Sequence, residues 1–325
     1  MSYKIKRKRR PVAKKPNPIT AELDNTWRRI VEDIQRIIER IAAHHHRRVD
    51  RVFEDWLQML DASLTMFPSH AASIAQTGKP AEDPPEIKDL FARIRVTYPH
   101  LDPEANFSKA TGILLESTEI GYFDVIGTVY MAINAANKYT AQYFTPWPVA
   151  EAMAMLAVGE HGPALVIERL LAAADAAANA PGASAGLKAS RLMGRLSTLR
   201  DNLALYRVDF PAETDVPDWL TEYWTEIAPH YEPVDVLDPA IGSGVMMLAA
   251  ASLFPRWMLY LGLVRFYGQD VDRNCILMAR INAKLYGLNG FGGEMIRALA
   301  SGQEGGSNDN PQVTLIAPPG TQTGV

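Results

Sequence analysis

Cysteine is almost missing from this chain: Cys275 is the one cysteine among 325 residues. An intrachain disulfide is thereby excluded, and so is any cysteine-rich zinc site. Cys275 falls within an apolar helical pattern, which makes it a core thiol. Long apolar runs are missing as well. No uninterrupted stretch reaches the roughly 18 residues that a membrane span needs, and the N-terminus has no apolar segment of the signal-peptide kind. No membrane partner is expected, and a cytoplasmic protein is. Acid is missing from the first fifteen residues, where Lys4, Lys6, Arg7, Lys8, Arg9, Arg10, Lys14 and Lys15 stand uncompensated although the whole chain carries a net charge of -4. Two readings of this tail, residues 1–19, stand side by side. It is a solvated, disordered segment, or an arm that binds phosphates with an affinity that falls with salt. The length allows one large domain or two modest ones.

What is present centres on Val234-Asp235-Val236-Leu237-Asp238-Pro239-Ala240-Ile241-Gly242-Ser243-Gly244. A short apolar run ends in an acid, a turn of small residues follows, and Val245-Met246-Met247-Leu248-Ala249-Ala250 reads as a helix. Gly242 and Gly244 allow positive φ and close approach of a ligand to the backbone, and the helix start offers unpaired N–H groups beside them. A second strand, Leu263 to Gly268, leads into Gln269-Asp270-Val271-Asp272. Two strand ends of this kind, the second bearing an acid that accepts from ribose hydroxyls, are what a nucleoside-binding α/β sheet requires. Asp270 is the ribose candidate. Asp272 either caps the next helix or contacts the adenosine from the turn. That helix, Cys275 to Tyr286, stops at Gly287.

Upstream, Leu23, Trp27, Ile30, Val31, Ile34, Ile37, Ile38 and Ile41 recur at three- and four-residue steps, and Val52, Phe53, Trp56, Leu57 and Leu60 continue them. The spacing predicts helix from Thr20 to about Phe67, with one apolar face. His44-His45-His46 interrupts it; consecutive histidines point around a helix in different directions, so the expectation is a basic surface patch and no metal. Residues 68–87 read as a proline-marked linker, Ile87 to Tyr98 as helix, Pro99 to Phe107 as loop and Gly121 to Asn137 as an amphipathic helix. A helical N-terminal region over 20–135 thus precedes a second domain over 136–325. In it, Gln142-Tyr143-Phe144-Thr145-Pro146 enters a further helix with Thr145 as N-cap and Val149, Met153 and Leu156 as its buried stripe. Residues 163–230 are expected to form an insertion. Within it, Leu187 to Tyr206 and Trp219 to His230 read as helices.

Asp-Pro-Ala-Ile-Gly-Ser-Gly resembles the S-adenosyl-L-methionine motif of N6-adenine DNA methyltransferases, especially the modification subunits of type I restriction systems. Gln-Tyr-Phe-Thr-Pro before it resembles the element that in this family packs over the methionine end of the cofactor. The resemblance implies a Rossmann-like methyltransferase fold, S-adenosyl-L-methionine as cofactor and DNA as partner. It also implies transfer of the methyl group to N6 of a flipped adenine. On that basis the cofactor residues are Tyr143, Phe144, Thr145, Pro146, Asp238, Pro239, Ala240, Gly242, Gly244, Asp270 and Asp272.

The family's catalytic sequence is Asn or Asp, Pro, Pro and an aromatic residue after the fourth strand. The corresponding place here is Val313 to Ile316, followed by Ala317-Pro318-Pro319-Gly320. Ala317 has no side-chain acceptor and Gly320 cannot stack on a base, so Pro318 and Pro319 are what remains of the motif, with the Pro318 carbonyl as acceptor. The chain ends five residues after Gly320. About four strands are expected, near Val234, Val264, Glu294 and Val313, where the family has seven, and no target-recognition domain. Two functions remain in view. One is an adenine-N6 DNA methyltransferase of the restriction-modification type. The other is a catalytically impaired cofactor- or DNA-binding subunit, with a partner polypeptide supplying target recognition or the C-terminal strands.

Overall fold

The structure, a computed structural model, describes residues 25–99, 103–134, 144–159, 161–189, 191–201 and 218–290. The basic tail, Tyr143, the strands expected near Glu294 and Val313, and Ala317 to Gly320 lie outside the described residues.

Helix α1 (Asn25–His44) buries Val31, Ile34, Ile37, Ile38 and Ile41, as its apolar spacing predicts. It stops where His46 takes a left-handed conformation, φ 51°, and the Arg47 N–H turns back to the Ala42 carbonyl at 2.9 Å. Helix α2 (Val49–Thr77) follows. Where a linker was expected from residue 68 the helix continues: Pro68 lies inside it, and it ends only at left-handed Gly78. A proline removes one backbone donor and strains one turn; buried Ala71 and Ala72 hold the segment beyond it.

Helix α3 (Pro85–Thr97) turns back along α2. Helix α4 (Pro103–Thr118) begins within the stretch expected to be loop, a second correction. Proline suits the first turn of a helix, where its missing N–H is not needed. Helix α5 (Val125–Asn134) is shorter than expected at its start, since residues 121–124 are not helical.

The second half opens with α6 (Trp147–Ala157), whose N-cap is Pro146 without a side-chain cap bond. Thr145 is therefore not the cap. Pro148 occupies the second helical position, so a donor that a capping hydroxyl would have served is missing. The buried stripe is corrected too. Val149 is 47%, Met153 50% and Leu156 89% exposed, while Ala150 and Ala154 are buried. Helix α6 lies against α9 (Val245–Ala251), and alanine at that face lets the two backbones come close. Leu156→Gln is accordingly expected to change stability by less than about 0.5 kcal/mol. Ala154→Leu, which overfills the contact, should cost roughly 1–3 kcal/mol. Urea denaturation of the two variants checks both.

Helix α7 (His161–Asn179) carries a run of alanines from Ala172 onward. Helix α8 (Leu192–Asp201) packs on it, and between Asp218 and His230 there are short helical turns where one helix was expected. Val166, Ile167, Leu170, Leu196, Leu220 and Ile227 share one core with α9 and the strands. Strands β1 (Val234–Asp238) and β2 (Val264–Gly268) pair in parallel, with Val234 opposite Val264 and Asp238 opposite Gly268. The described residues are thus mainly helical with a two-stranded parallel sheet.

A second core joins α1, α2, α4 and α5, with Trp56 fully buried and its indole N–H donating to Thr111 Oγ1 at 3.1 Å. Helix α10 (Arg273–Leu285) separates the two cores. Its Cys275, Met278 and Ile281 face the N-terminal core, and Ala279 and Ala283 face the core of the sheet. At the far end Asp61 of α2, itself buried, accepts from Arg280 Nε at 3.0 Å and from Lys284 Nζ at 2.8 Å. The helix that follows β2 is therefore fixed to both halves. Among the described residues no helix is long and apolar enough to cross a membrane.

Candidate cofactor site

The site forms where β1 and β2 end side by side. The Gln269 N–H donates to the Asp238 carbonyl at 3.2 Å, and the Ile241 N–H to the Gln269 carbonyl at 3.0 Å. These bonds continue the ladder past the strand ends and set the height of the turn. Gly242 and Gly244 adopt φ of 54° and 92°. Such values strain any residue with a Cβ, and a Cβ on Gly242 would also meet the Phe144 ring at 3.1 Å. Gly244 is the N-cap of α9.

Asp270 joins the two strand ends. One carboxylate oxygen accepts from the Gly242 N–H and the other from the Asp272 N–H, both at 2.9 Å. A carboxylate has about four lone-pair sites, so these bonds orient Asp270 and leave capacity for further donors. Asp272 caps α10, its Oδ1 accepting from the Asn274 N–H at 2.8 Å. Asp238 uses Oδ1 for the Ala240 N–H at 3.0 Å, whereas its Oδ2 is buried with no hydrogen-bond partner. An unpartnered buried carboxylate oxygen is costly, and here it stands at the end of β1 beside the turn.

Of the upstream motif, Phe144, Thr145 and Pro146 are described. The Phe144 ring lies over Gly242, with Tyr130 of α5 at 5.7 Å between ring centroids. The two motifs, far apart in sequence, therefore meet at the glycine turn. Thr145 and Pro146 follow Phe144 into α6, whose first turn brings Trp147 to 5.8 Å from Phe123. Pro239 and Ala240 are exposed on the turn itself.

Beneath the turn lies a group that the sequence did not single out. Asp124, the residue before α5, accepts from the Gly127 N–H at 2.9 Å, as an N-cap does. It also accepts from the Ser243 hydroxyl in a short contact and from Asn282 Nδ2 at 2.9 Å. The other Asn282 hydrogen reaches the Ser243 carbonyl at 2.9 Å. Asp124, Ser243 and Asn282 are all buried. Burial pushes the Asp124 carboxyl above the usual carboxylate range, and the bonds from Ser243, Gly127 and Asn282 oppose that rise. Two signals were available. Asp124 stands three residues before Gly127 at a helix start, and Asn282 is a polar residue on the buried face of α10.

Cys275 lies close by on the same helix. Burial, then Asp270, Asp272 and Asp124, push its thiol up to about 12, so at neutral pH it is an inert thiol. His45 of the histidine run stands edge-on to Tyr98 at 5.0 Å, which makes it part of a packed contact. Among the described residues no group of three His, Cys, Asp or Glu is placed to hold a metal ion.

The chain matches no curated protein and no solved structure. Residues 216–312 match the family model described as N-6 DNA Methylase. The matched stretch holds β1, the glycine turn, β2 and α10, and leaves out Asp124 and Phe144. By this match, the segment that carries the turn is similar to the N-6 DNA methylase family.

Proposed function

We propose that the glycine turn binds S-adenosyl-L-methionine and that the chain serves in adenine-N6 methylation of DNA as part of a restriction-modification system. The family match supports DNA N6-methyltransferase activity in general. What carries the cofactor reading is the meeting of three features at one point: the left-handed turn at Gly242, the Asp270 carboxylate bonded to it, and the unpartnered Asp238 oxygen beside it. The residues present fit the group. Asp238 Oδ2 would accept a donor from the ligand, Asp270 would accept the ribose hydroxyls, and the Phe144 ring would wall the methionine end together with Thr145, Pro146 and Tyr143. Pro239, Ala240, Gly242 and Gly244 would give the ligand access to backbone, and Asp272 would hold the α10 start near the adenosine. When bound, the cofactor supplies an electrophilic methyl group. The fold proposed around it is the Rossmann-like methyltransferase sheet, of which β1 and β2 would be the central pair.

The acceptor amine of adenine is a poor nucleophile, because its lone pair is delocalised into the ring. Acceptors for its hydrogens stabilise the charge that develops, and the base must leave the duplex to reach them. In Ala317-Pro318-Pro319-Gly320 the acceptors are backbone carbonyls, that of Pro318 among them, and the sequence offers neither a side-chain acceptor nor a stacking ring. That sequence favours a second reading, in which the chain binds cofactor or DNA and a partner polypeptide completes the chemistry.

Calorimetric titration with S-adenosyl-L-methionine tests the first reading. Binding at micromolar Kd is expected for the full chain, with Asp270→Ala weaker by at least about tenfold, the cost of roughly 1.4 kcal/mol. Absence of binding by the unaltered chain would sink the cofactor reading. Label transfer from tritiated cofactor to DNA would mark the chain as the enzyme, and binding without transfer would mark it as the subunit.

A further inference from the structure

We propose that Asp124 is a positioning residue, through which the N-terminal helical region sets the shape of the glycine turn and so the affinity for cofactor. The inference rests on the cofactor reading above but concerns residues outside the matched 97-residue stretch, 216–312. The turn is held from above by Asp270 on the Gly242 N–H. From below it is held at Ser243, whose hydroxyl donates to Asp124 and whose carbonyl accepts from Asn282. Ser243 is fully buried, so its hydroxyl faces Asp124 and not the ligand space. Asp124 in turn is fixed by the first turn of α5 and by Asn282. The N-cap of one helix, the turn before a second and the last turn of a third thus share one carboxylate.

The arrangement has a consequence for ligand binding. Left-handed glycines are permissive, and a turn with two of them has many conformations to lose on binding. A turn already held in one conformation avoids that loss, which is the general benefit of preorganisation. Neither bond made by Ser243 can be replaced by water, since the three groups are sealed from solvent.

Three variants of the full chain test this. Ser243→Ala removes the hydroxyl and leaves one Asp124 oxygen without its donor. Asp124→Ala removes the anchor. Asp124→Asn keeps the shape, because its oxygen still accepts from Gly127 and Asn282 and its amide can donate to the Ser243 hydroxyl. Titration with S-adenosyl-L-methionine should give a Kd at least about tenfold higher for the two alanine variants and within about threefold of the parent for Asp124→Asn. Amide hydrogen exchange, measured without ligand, should accelerate at least about tenfold at Gly242 to Met246 in Ser243→Ala, with Met278 to Ala283 of α10 unchanged. Parental Kd and parental exchange at the turn in Ser243→Ala would overturn the proposal even if Asp124→Ala fails to fold. If the parent does not bind the cofactor, the cofactor reading fails alone and exchange at the turn decides the positioning role: faster exchange upholds it, unchanged exchange ends it.

Discussion

Asp61→Ala should lower the stability of the fold by about 3–5 kcal/mol, the usual cost of removing one partner from a buried ion pair. Asp61 is buried on α2 and receives both Arg280 and Lys284 of α10. The two cations are not equally exposed. The Arg280 side chain is 43% exposed and can turn back to water, whereas that of Lys284 is 13% exposed and cannot. The loss therefore falls on an ammonium group left without its anion. Burial already lowers the pKa of Lys284 from its ordinary 10.5, with the Asp61 charge opposing the shift.

The pH dependence follows from that direction. Between the lowered folded value and 10.5 the unfolded chain binds more protons than the folded one, so stability rises with pH across this window. Without Asp61 the folded value drops further and the window widens downward. The deficit of Asp61→Ala should be largest near neutral pH and shrink as pH is raised toward 10.5. Urea denaturation at pH 7 and at pH 9.5 would measure it. A deficit below about 1 kcal/mol at neutral pH would mean that the two halves of the chain do not depend on this contact.

The same helix shows what the sequence could and could not convey. The apolar face of α10, its Asp272 cap and the glycine that ends it are local signals, readable within a few residues. So is the strand, turn and helix around Gly242, since the backbone conformation that such a turn needs admits few residues besides glycine. The face that α6 buries was not readable. Large side chains at Val149, Met153 and Leu156 suggest a stripe, but α6 meets α9 through Ala150 and Ala154, and a close backbone approach selects small residues where the hydrophobic pattern selects large ones. The Asp124 network was hidden for another reason. Its members are separated by 119 and 158 residues, and nothing local says that a helix cap in one half serves a turn in the other. Asp270 was legible as an acid at a strand end; its bond to Gly242 was not, although the two motifs were each read as parts of one site.

Gly127→Ala carries this point to a measurable contradiction. Gly127 lies in the first turn of α5, and glycine within a helix is ordinarily about 0.5–1 kcal/mol less stable than alanine. Helix propensity by itself therefore predicts a gain. The structure predicts a loss, because a Cβ at this position would overlap both the Asp124 carboxylate and the Ser243 hydroxyl. Neither can retreat. Asp124 is held by the Gly127 N–H and by Asn282, and Ser243 is held at its hydroxyl by Asp124 and at its carbonyl by Asn282. Overfilling a packed site costs roughly 1–3 kcal/mol, and each hydrogen bond to a buried charged group that is broken adds about 1.5–3 kcal/mol. A net loss of about 2–5 kcal/mol is expected by urea denaturation, with the slope on denaturant unchanged. In a Ser243→Ala background the added methyl no longer meets the hydroxyl, although the Cβ of residue 243 still lies 2.7 Å from it, so the same substitution should cost somewhat less than it does alone. Equal costs in both backgrounds, or a gain in either, would show that the three buried groups do not act as a unit and that α5 and the glycine turn are coupled less tightly than their hydrogen bonds imply.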